Sequence, residues 1–463
     1  MTNSPRPLHV KYTLLKPAHY FPPHLTPASV LALSMAFGTQ TTYANLNNVP
    51  GLNGVQTATA AAVMTVCPQM VALNNDGLLN ATEQALLTRC GELVFTAIAQ
   101  QGGTPPAPEL VLDLSESELR DAIQDIAPEE TEIMGAGATE TSQDQLNNLG
   151  NRMQALRSGT SIATTSGISW NLDGQSGGAA GNDSFSRTGM YINGLYGDGK
   201  RDASTEQNGF NYDAYGLTLG LDHRYSNTLV AGVALGVSNS DVDISNNAGN
   251  YDTDGYNLSL YSTWYSDQFY LEGILTYGAY DYEGTRHFEY ATVNQTIKLD
   301  TEGEQLSYSL ATGYNGNQRK FSYHLFGRLA GVEADLDSYD ETGSELSMHV
   351  NSQEIESLQF IIGGQLSYNS SQDYGVIIPY MSWEQHHEFD DEARDITARY
   401  VFDPTNTSFS FKTETADKNF SIVSVGTSLL LKGGNQLFMN VDKILNLENV
   451  ESKTFMLGLR IEL

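Results

Sequence analysis

The pattern of apolar and polar positions divides the chain near residue 187. Beyond that point apolar residues recur at every second position, as in strands that bury one face. The C-terminal stretch is the clearest case. Phe455, Leu457, Leu459, Ile461 and Leu463 fall on one face, and Thr454, Met456, Gly458, Arg460 and Glu462 on the other. A lipid-facing barrel strand requires such an unbroken apolar row. Leu217, Leu219 and Leu221 likewise alternate with Gly216, Thr218, Gly220 and Asp222, and Leu358, Phe360 and Ile362 with Gln359 and Gly363. The alternation predicts twelve strands, at 187–198, 209–225, 229–243, 250–265, 268–283, 300–315, 319–335, 355–370, 374–389, 418–431, 435–447 and 451–463. Short joins alternate with long ones, the long ones clearest at 284–299, 336–354 and 390–417. Together these features predict an all-β fold, a 12-stranded antiparallel transmembrane β-barrel with short turns on the periplasmic side. A soluble sandwich would have shorter strands and no such alternation of joins.

Before residue 187 the period changes to that of helices. Residues 1–27 are basic and Pro-rich, 28–37 are apolar, and Thr42-Tyr43-Ala44 is a small-x-small site. Residues 1–44 therefore read as a signal peptide with an extended leader. Residues 45–135 are predicted to be a short, mostly helical domain. Val63, Val66, Met70 and Leu73 recur at helical spacing, Gly77 separates a second helix over 82–90, and Ser115 or Ser117 offers a cap for a third. Cys67 and Cys90 are the two cysteines of the chain. In an exported protein a disulfide between them is favoured over two buried thiols, and closing such a loop contributes about 3 kcal/mol. Residues 136–160 read as a linker helix, with Leu146, Leu149, Met153 and Leu156 on one stripe and Arg152 and Arg157 elsewhere. Residues 161–186 read as a flexible Gly/Ser/Thr/Asn-rich segment. Small residues on the inward faces of the strands leave room for such a helix in the lumen, where its arginines would meet carboxylates or water.

Composition sharpens this picture. Charged residues make up 17% of the chain and hydrophobic residues 40%, with 43 Gly and 25 Tyr. This is the texture of an outer-membrane barrel facing lipid. A formal net charge of −31 makes nucleic acid a poor partner. Residues 45–135 contain no GxSxG and no HExxH. His386 and His387 point to opposite faces of a strand, so a metal pair is not expected there. Asp335, Asp337, Asp340 and Glu341 read as a solvated acidic loop, because their spacing does not match an EF-hand. No cofactor is expected, and no metal site.

Residues 187–463 resemble the translocator barrel of classical, monomeric (type V) autotransporters. The resemblance rests on Ile378-Pro379-Tyr380 leading to His387-Glu388-Phe389, on Asp417 before the Gly426 strand, and on the closing Gly458-Leu459-Arg460-Ile461-Glu462-Leu463. Residues 139–157 resemble the family's linker helix. The chain ends in Leu463 where the family usually has Phe or Trp. The resemblance implies a monomeric barrel in the Gram-negative outer membrane, in contact with its lipid and inserted by the barrel-assembly machinery with periplasmic chaperones. It also implies export of the upstream segment to the cell surface. The alternative is a channel or structural barrel whose N-terminal domain stays periplasmic. The usual passenger is long, whereas the segment here is short and helical, and the target of residues 45–135 is unknown. The resemblance further points to Asn147-Asn148-Leu149, followed by Arg152-Met153 and Leu156-Arg157, as a self-cleavage pair within its linker helix. The bland alternative is two hydrogen-bonded polar residues in the lumen. Apart from that single turnover no enzyme activity is expected.

Overall fold

The computed structural model describes residues 45–128, 131–135, 137, 143, 145–154, 170–172, 175–177, 187–266, 268–432 and 434–463. The signal-peptide reading of 1–44 and the side chains of Leu156 and Arg157 lie outside the described residues.

All twelve expected strands are present: β1 Thr188–Arg201, β2 Phe210–Ser226, β3 Leu229–Ile244, β4 Gly249–Ser266, β5 Phe269–Tyr290, β6 Val293–Gln318, β7 Phe321–Leu336, β8 Gln353–Tyr368, β9 Gly375–Glu388, β10 Asn419–Leu431, β11 Gln436–Leu445 and β12 Val450–Glu462. Each pairs antiparallel with its neighbours, and β12 pairs with β1 from Glu462↔Gly189 to Val450↔Arg201, closing the ring. Closure removes the free edge that lipid could not satisfy. The outward faces carry the apolar rows. Tyr196, Tyr215, Tyr256, Tyr277, Trp383 and Phe455 form one exposed aromatic girdle, and Tyr225, Trp264, Phe269, Phe321, Tyr323 and Tyr374 the other. Along β2 and β4 the girdles lie eight to ten residues apart, which is about 25 Å for tilted strands and matches a bilayer's apolar band. Phe455, Leu457, Leu459, Ile461 and Leu463 all face outward, and Gly458 faces the lumen. Among the described residues no helix is long and apolar enough to cross a membrane.

The long joins depart from expectation. Residues 284–299 are not a loop. They continue β5 and β6 into a hairpin paired to Tyr290↔Val293, with Ala291 in the left-handed region at the turn (φ 49°). Phe288, Tyr290, Val293 and Ile297 on the inward face of this extension are apolar and buried, with Arg286 and Gln295 interspersed, which extends the strand signal well past the membrane girdle. The joins 336–354 and 390–417 contain short strands, Tyr339–Asp340, Met348–Val350, Asp395–Tyr400 and Phe409–Lys412, which form a four-stranded sheet at the same end.

The helical segment consists of α1 (Gly54–Asn75), α2 (Ala81–Gln100) and α3 (Glu116–Asp125). Asn53, Asn80 and Ser115 each close a capping box with Gln56, Glu83 and Glu118, respectively. The Cys67–Cys90 disulfide joins α1 to α2 (Cα–Cα 6.0 Å). α2 buries residues around most of its circumference, including Leu87, Arg89, Leu93 and Phe95. The segment packs on the long-loop end of the barrel. Leu46, Val66, Phe95 and Ile123 belong to one continuous core with Tyr282, Phe288, Met348, Ile396 and Phe411. Residues 131–135 are helical, so the helical region before the barrel begins earlier than the predicted linker. A helix described at 143 and 145–154 (α4) then lies in the lumen.

Candidate functional site

The lumen is organised around α4. Leu146, Leu149 and Met153, the described members of the predicted stripe, pack against Tyr191, Ala234, Tyr261, Ile274, Ala330 and Ile361 from the wall. The small inward residues make room less directly than expected. A Cβ at Gly220 would lie 2.3 Å from the Tyr191 ring, and one at Gly458 would lie 2.1 Å from Phe438. At these positions glycine admits a neighbouring strand's aromatic ring, and the Tyr191 ring in turn supports α4.

Several polar residues of α4 bond to the wall. Arg152 is fully buried and pairs with Asp222, and its guanidinium lies 4.9 Å from the Tyr191 ring centroid. Asp222 also accepts from Arg460 Nη2 (3.1 Å), which in turn pairs with Glu462. This network sits at the short-turn end. A buried Arg is tolerated there because its charge is paired and its face is covered. Asn148 Nδ2 donates to Thr218 Oγ1 (2.9 Å), and Asn193 Nδ2 donates to Asn148 Oδ1 (2.8 Å). Arg328 Nη2 donates to Asn147 Oδ1 (3.4 Å) and to Glu384 Oε2 (2.7 Å), and His386 Nε2 lies 3.5 Å from the same Glu384 oxygen. Gln154 bonds Gln365 near the short-turn end, while Thr131 Oγ1 lies 3.0 Å from Tyr339 Oη at the long-loop end. The chain thus runs from the long-loop end, through the lumen, towards the end where β1 begins.

α4 leaves the β8–β12 side of the lumen open. A cavity of about 1500 Å³ lies there, with Asn147, Asn151, Arg328, Glu384, His386 and Asp442 in its wall and Glu354, Glu388, Asp391 and Glu414 towards its mouth. Sequence reasoning placed Asn147 and Asn148 together on the linker helix, but their side chains face different surroundings. Asn147 faces the cavity and Asn148 is sealed against β1 and β2.

His386 is lumenal and buried, stacked on Phe420 at 4.5 Å, whereas His387 points outward. The opposite-face expectation therefore holds. Glu341 corrects the solvated-loop reading. It is buried and pairs with Arg286 (2.7 Å). Among the described residues no group of three or more His, Cys, Asp or Glu is placed to hold a metal ion. Sequence reasoning missed Asp222 and Arg328 as helix partners, and Glu384 as the carboxylate that pairs with Arg328. The available signal was a charged residue on the inward, otherwise small or polar face of a strand.

The decisive comparison is with the family model described as the autotransporter beta-domain, which matches residues 190–442. The chain belongs to the autotransporter family. Its curated relatives include esterase EstA of Pseudomonas aeruginosa, 27% identical over 243 residues, a match that covers 50% of this chain and 36% of that protein. An uncharacterized protein of Pseudomonas putida, from a trpE–trpG intergenic region, is 25% identical over 42% of this chain and 33% of its own length. The matches thus span about a third of these relatives. Among solved structures, the translocator domain of the autotransporter NalP from Neisseria meningitidis superposes with a TM-score of 0.51 at 16% identity, covering 70% of this chain and 98% of that domain. The protein is accordingly an outer-membrane autotransporter barrel with membrane-spanning strands.

Proposed function

We propose that this autotransporter carries its own helical segment across the outer membrane and holds it at the cell surface. One observation carries the reading. α4 occupies the lumen, with the helical segment at the long-loop end and the start of β1 at the short-turn end. In a barrel of this kind the long loops face the exterior and the short turns face the periplasm, so a chain threaded in this direction leaves its N-terminal segment outside. That supports display over a periplasmic N-terminal domain. Assembly as a monomer through the barrel-assembly machinery, with periplasmic chaperones, belongs to the same proposal. An epitope inserted at Gly103, in an exposed turn, should be stained on intact cells. Staining that requires permeabilisation of the outer membrane would contradict display.

Self-cleavage between Asn147 and Asn148 is part of the proposal. Asn147 Nδ2 attacks its own backbone carbonyl, the peptide bond to Asn148 breaks, and the proton lost by the side-chain amide ends on the departing amine. The products are a C-terminal succinimide at residue 147 and a free N-terminus at Asn148. Support comes from the opening of Asn147 onto the cavity and from its hydrogen bond to Arg328. Intact mass of the outer-membrane form tests it. A fragment beginning at Asn148, lost in Asn147→Asp, is expected, and a chain continuous through that bond would contradict it. Beyond this single event we infer no catalytic turnover, and the esterase activity named for the relatives is not carried over.

A further inference from the structure

We propose that the helical segment is a resident cap built by the barrel and not cargo that folds by itself. The helix ends supply the first argument. The N-terminus of α1 is met by a barrel residue: Glu206, in the β1–β2 turn, accepts from the Val55 amide (3.1 Å). The opposite end of α3 is met by another. Arg286 of β5, 1% exposed, donates from Nη1 to the carbonyls of Asp125 (3.0 Å) and Ala127 (3.4 Å). Helices leave amides free at the first turn and carbonyls free at the last, and they favour an anion at one end and a cation at the other. The barrel provides both, from a turn and a strand far apart in sequence from the helices that they cap.

The core supplies the second argument. α2 is buried nearly all round, which is the mark of a helix enclosed by structure on every side. Part of that enclosure is the extended β5–β6 hairpin and the four-stranded loop sheet. Arg89 on α2, nearly buried, pairs with Glu345 between those loop strands (2.7 Å). Without the wall the segment would expose both the apolar residues of the shared core and the charge of Arg89 that pairs with Glu345. The inward residues Phe288, Tyr290, Val293 and Ile297 lie beyond the membrane girdle and are buried in one core with the helices of the cap. This inference does not depend on cleavage. A chain cut at Asn147 retains its cap through the same contacts.

The test uses the full chain in outer membranes. One variant, R286M/E341Q, removes the latch without leaving either charge unpaired. A second replaces 286–297 with Asn-Gly, trimming the hairpin above the girdle. Limited proteolysis follows residues 54–125, and heat-modifiable electrophoretic mobility reports barrel folding. The proposal predicts cutting within 54–125 at least tenfold faster in both variants, with the barrel still heat-modifiable. Wild-type resistance of 54–125 on a folded, trimmed barrel would overturn it. Should the variants fail to insert, hydrogen exchange of the wild-type chain decides. Amides of α2 and of the 286–297 hairpin opening together support a common unit. Persistent protection of α2 while the hairpin exchanges freely contradicts it.

Discussion

The two ends of this barrel are closed by different physics. At the short-turn end α4 is held by a buried ionic network of Arg152, Asp222, Arg460 and Glu462, ringed by small residues and aromatic rings. At the long-loop end closure comes from a shared apolar core in which α1–α3 and the strand extensions are one body. An ionic lock is directional and fixes the depth of one helix. An apolar core is less directional and can be built from distant segments. The outer surface follows the same polarity. Beyond the aromatic girdle on the long-loop side, exposed carboxylates stand directly opposite one another, Asp213↔Asp241 and Asp254↔Asp281↔Glu302. Like charges so placed repel, and they account for part of the net charge of −31.

The contrast can be broken at either end. The largest effect is expected for Arg152→Met, which strips Asp222 of one of its two cationic partners. Breaking a buried pair costs about 3–5 kcal/mol. α4 should loosen, giving higher conductance in planar bilayers while the cap stays protease-resistant. R152M/D222N should recover part of the loss. Unchanged conductance in R152M would remove the lock from the account.

Reduction of Cys67–Cys90 acts at the other end. Removing this link should cost the cap about 3 kcal/mol in the loop-entropy estimate. Proteolysis of α1 and α2 should accelerate, with the heat-modifiable transition of the barrel unmoved. A shift in the barrel transition alone would count against the division.

A smaller effect is pH dependence confined to the capped end. Glu132 is pushed up to about 7, chiefly by burial, with the Glu414 carboxylate adding to the rise while the Glu414 amide, Arg201 and Arg394 oppose it. Asp125 is pushed up to about 6 by burial and by Asp121, against Arg286 and the Glu289 amide. A carboxyl whose folded pKa is raised binds more protons folded than unfolded, so stability falls as pH rises from about 4.5 to 7. Glu345 acts the other way. Burial alone would raise it, but Arg89 holds it below its ordinary value, so its contribution is lost as pH falls below about 4.5. Cap stability should therefore be greatest at or below about pH 4.5, and E132Q should flatten the fall above it. An unchanged slope in E132Q would exclude Glu132 as the source.

The smallest effect concerns Leu463, which faces outward at the short-turn boundary. Leu463→Phe should be tolerated. Leu463→Asp should lower outer-membrane levels, with an equilibrium cost of only about 1 kcal/mol so close to the interface. Equal levels of the Asp variant and wild type would show that the terminal side chain is not needed for insertion.

The barrel was legible because lipid imposes period two on every strand, and the outward row from Phe455 to Leu463 carries that constraint to the last residue. The helix stripe was legible for the same reason at period 3.6. The β5–β6 extension was not. Glu283, His287, Glu289 and Lys298 interrupt the outward face once it leaves lipid, so the stretch resembled a polar loop, although Phe288, Tyr290, Val293 and Ile297 kept the inward alternation. Nor were the partners of α4. Asp222 and Arg328 reach Arg152 and Asn147 across intervals of 70 and 181 residues, set by barrel closure and not by local pattern.

The central claim, that the chain runs through its own barrel with the helical segment outside, is tested most directly by two cysteine substitutions at opposite ends. Gly103→Cys lies in an exposed turn of the helical segment, and Lys432→Cys in the exposed β10–β11 turn. A membrane-impermeant maleimide should label G103C on intact cells and K432C only after the outer membrane is permeabilised. Labelling of K432C on intact cells, with G103C protected until permeabilisation, would contradict the account.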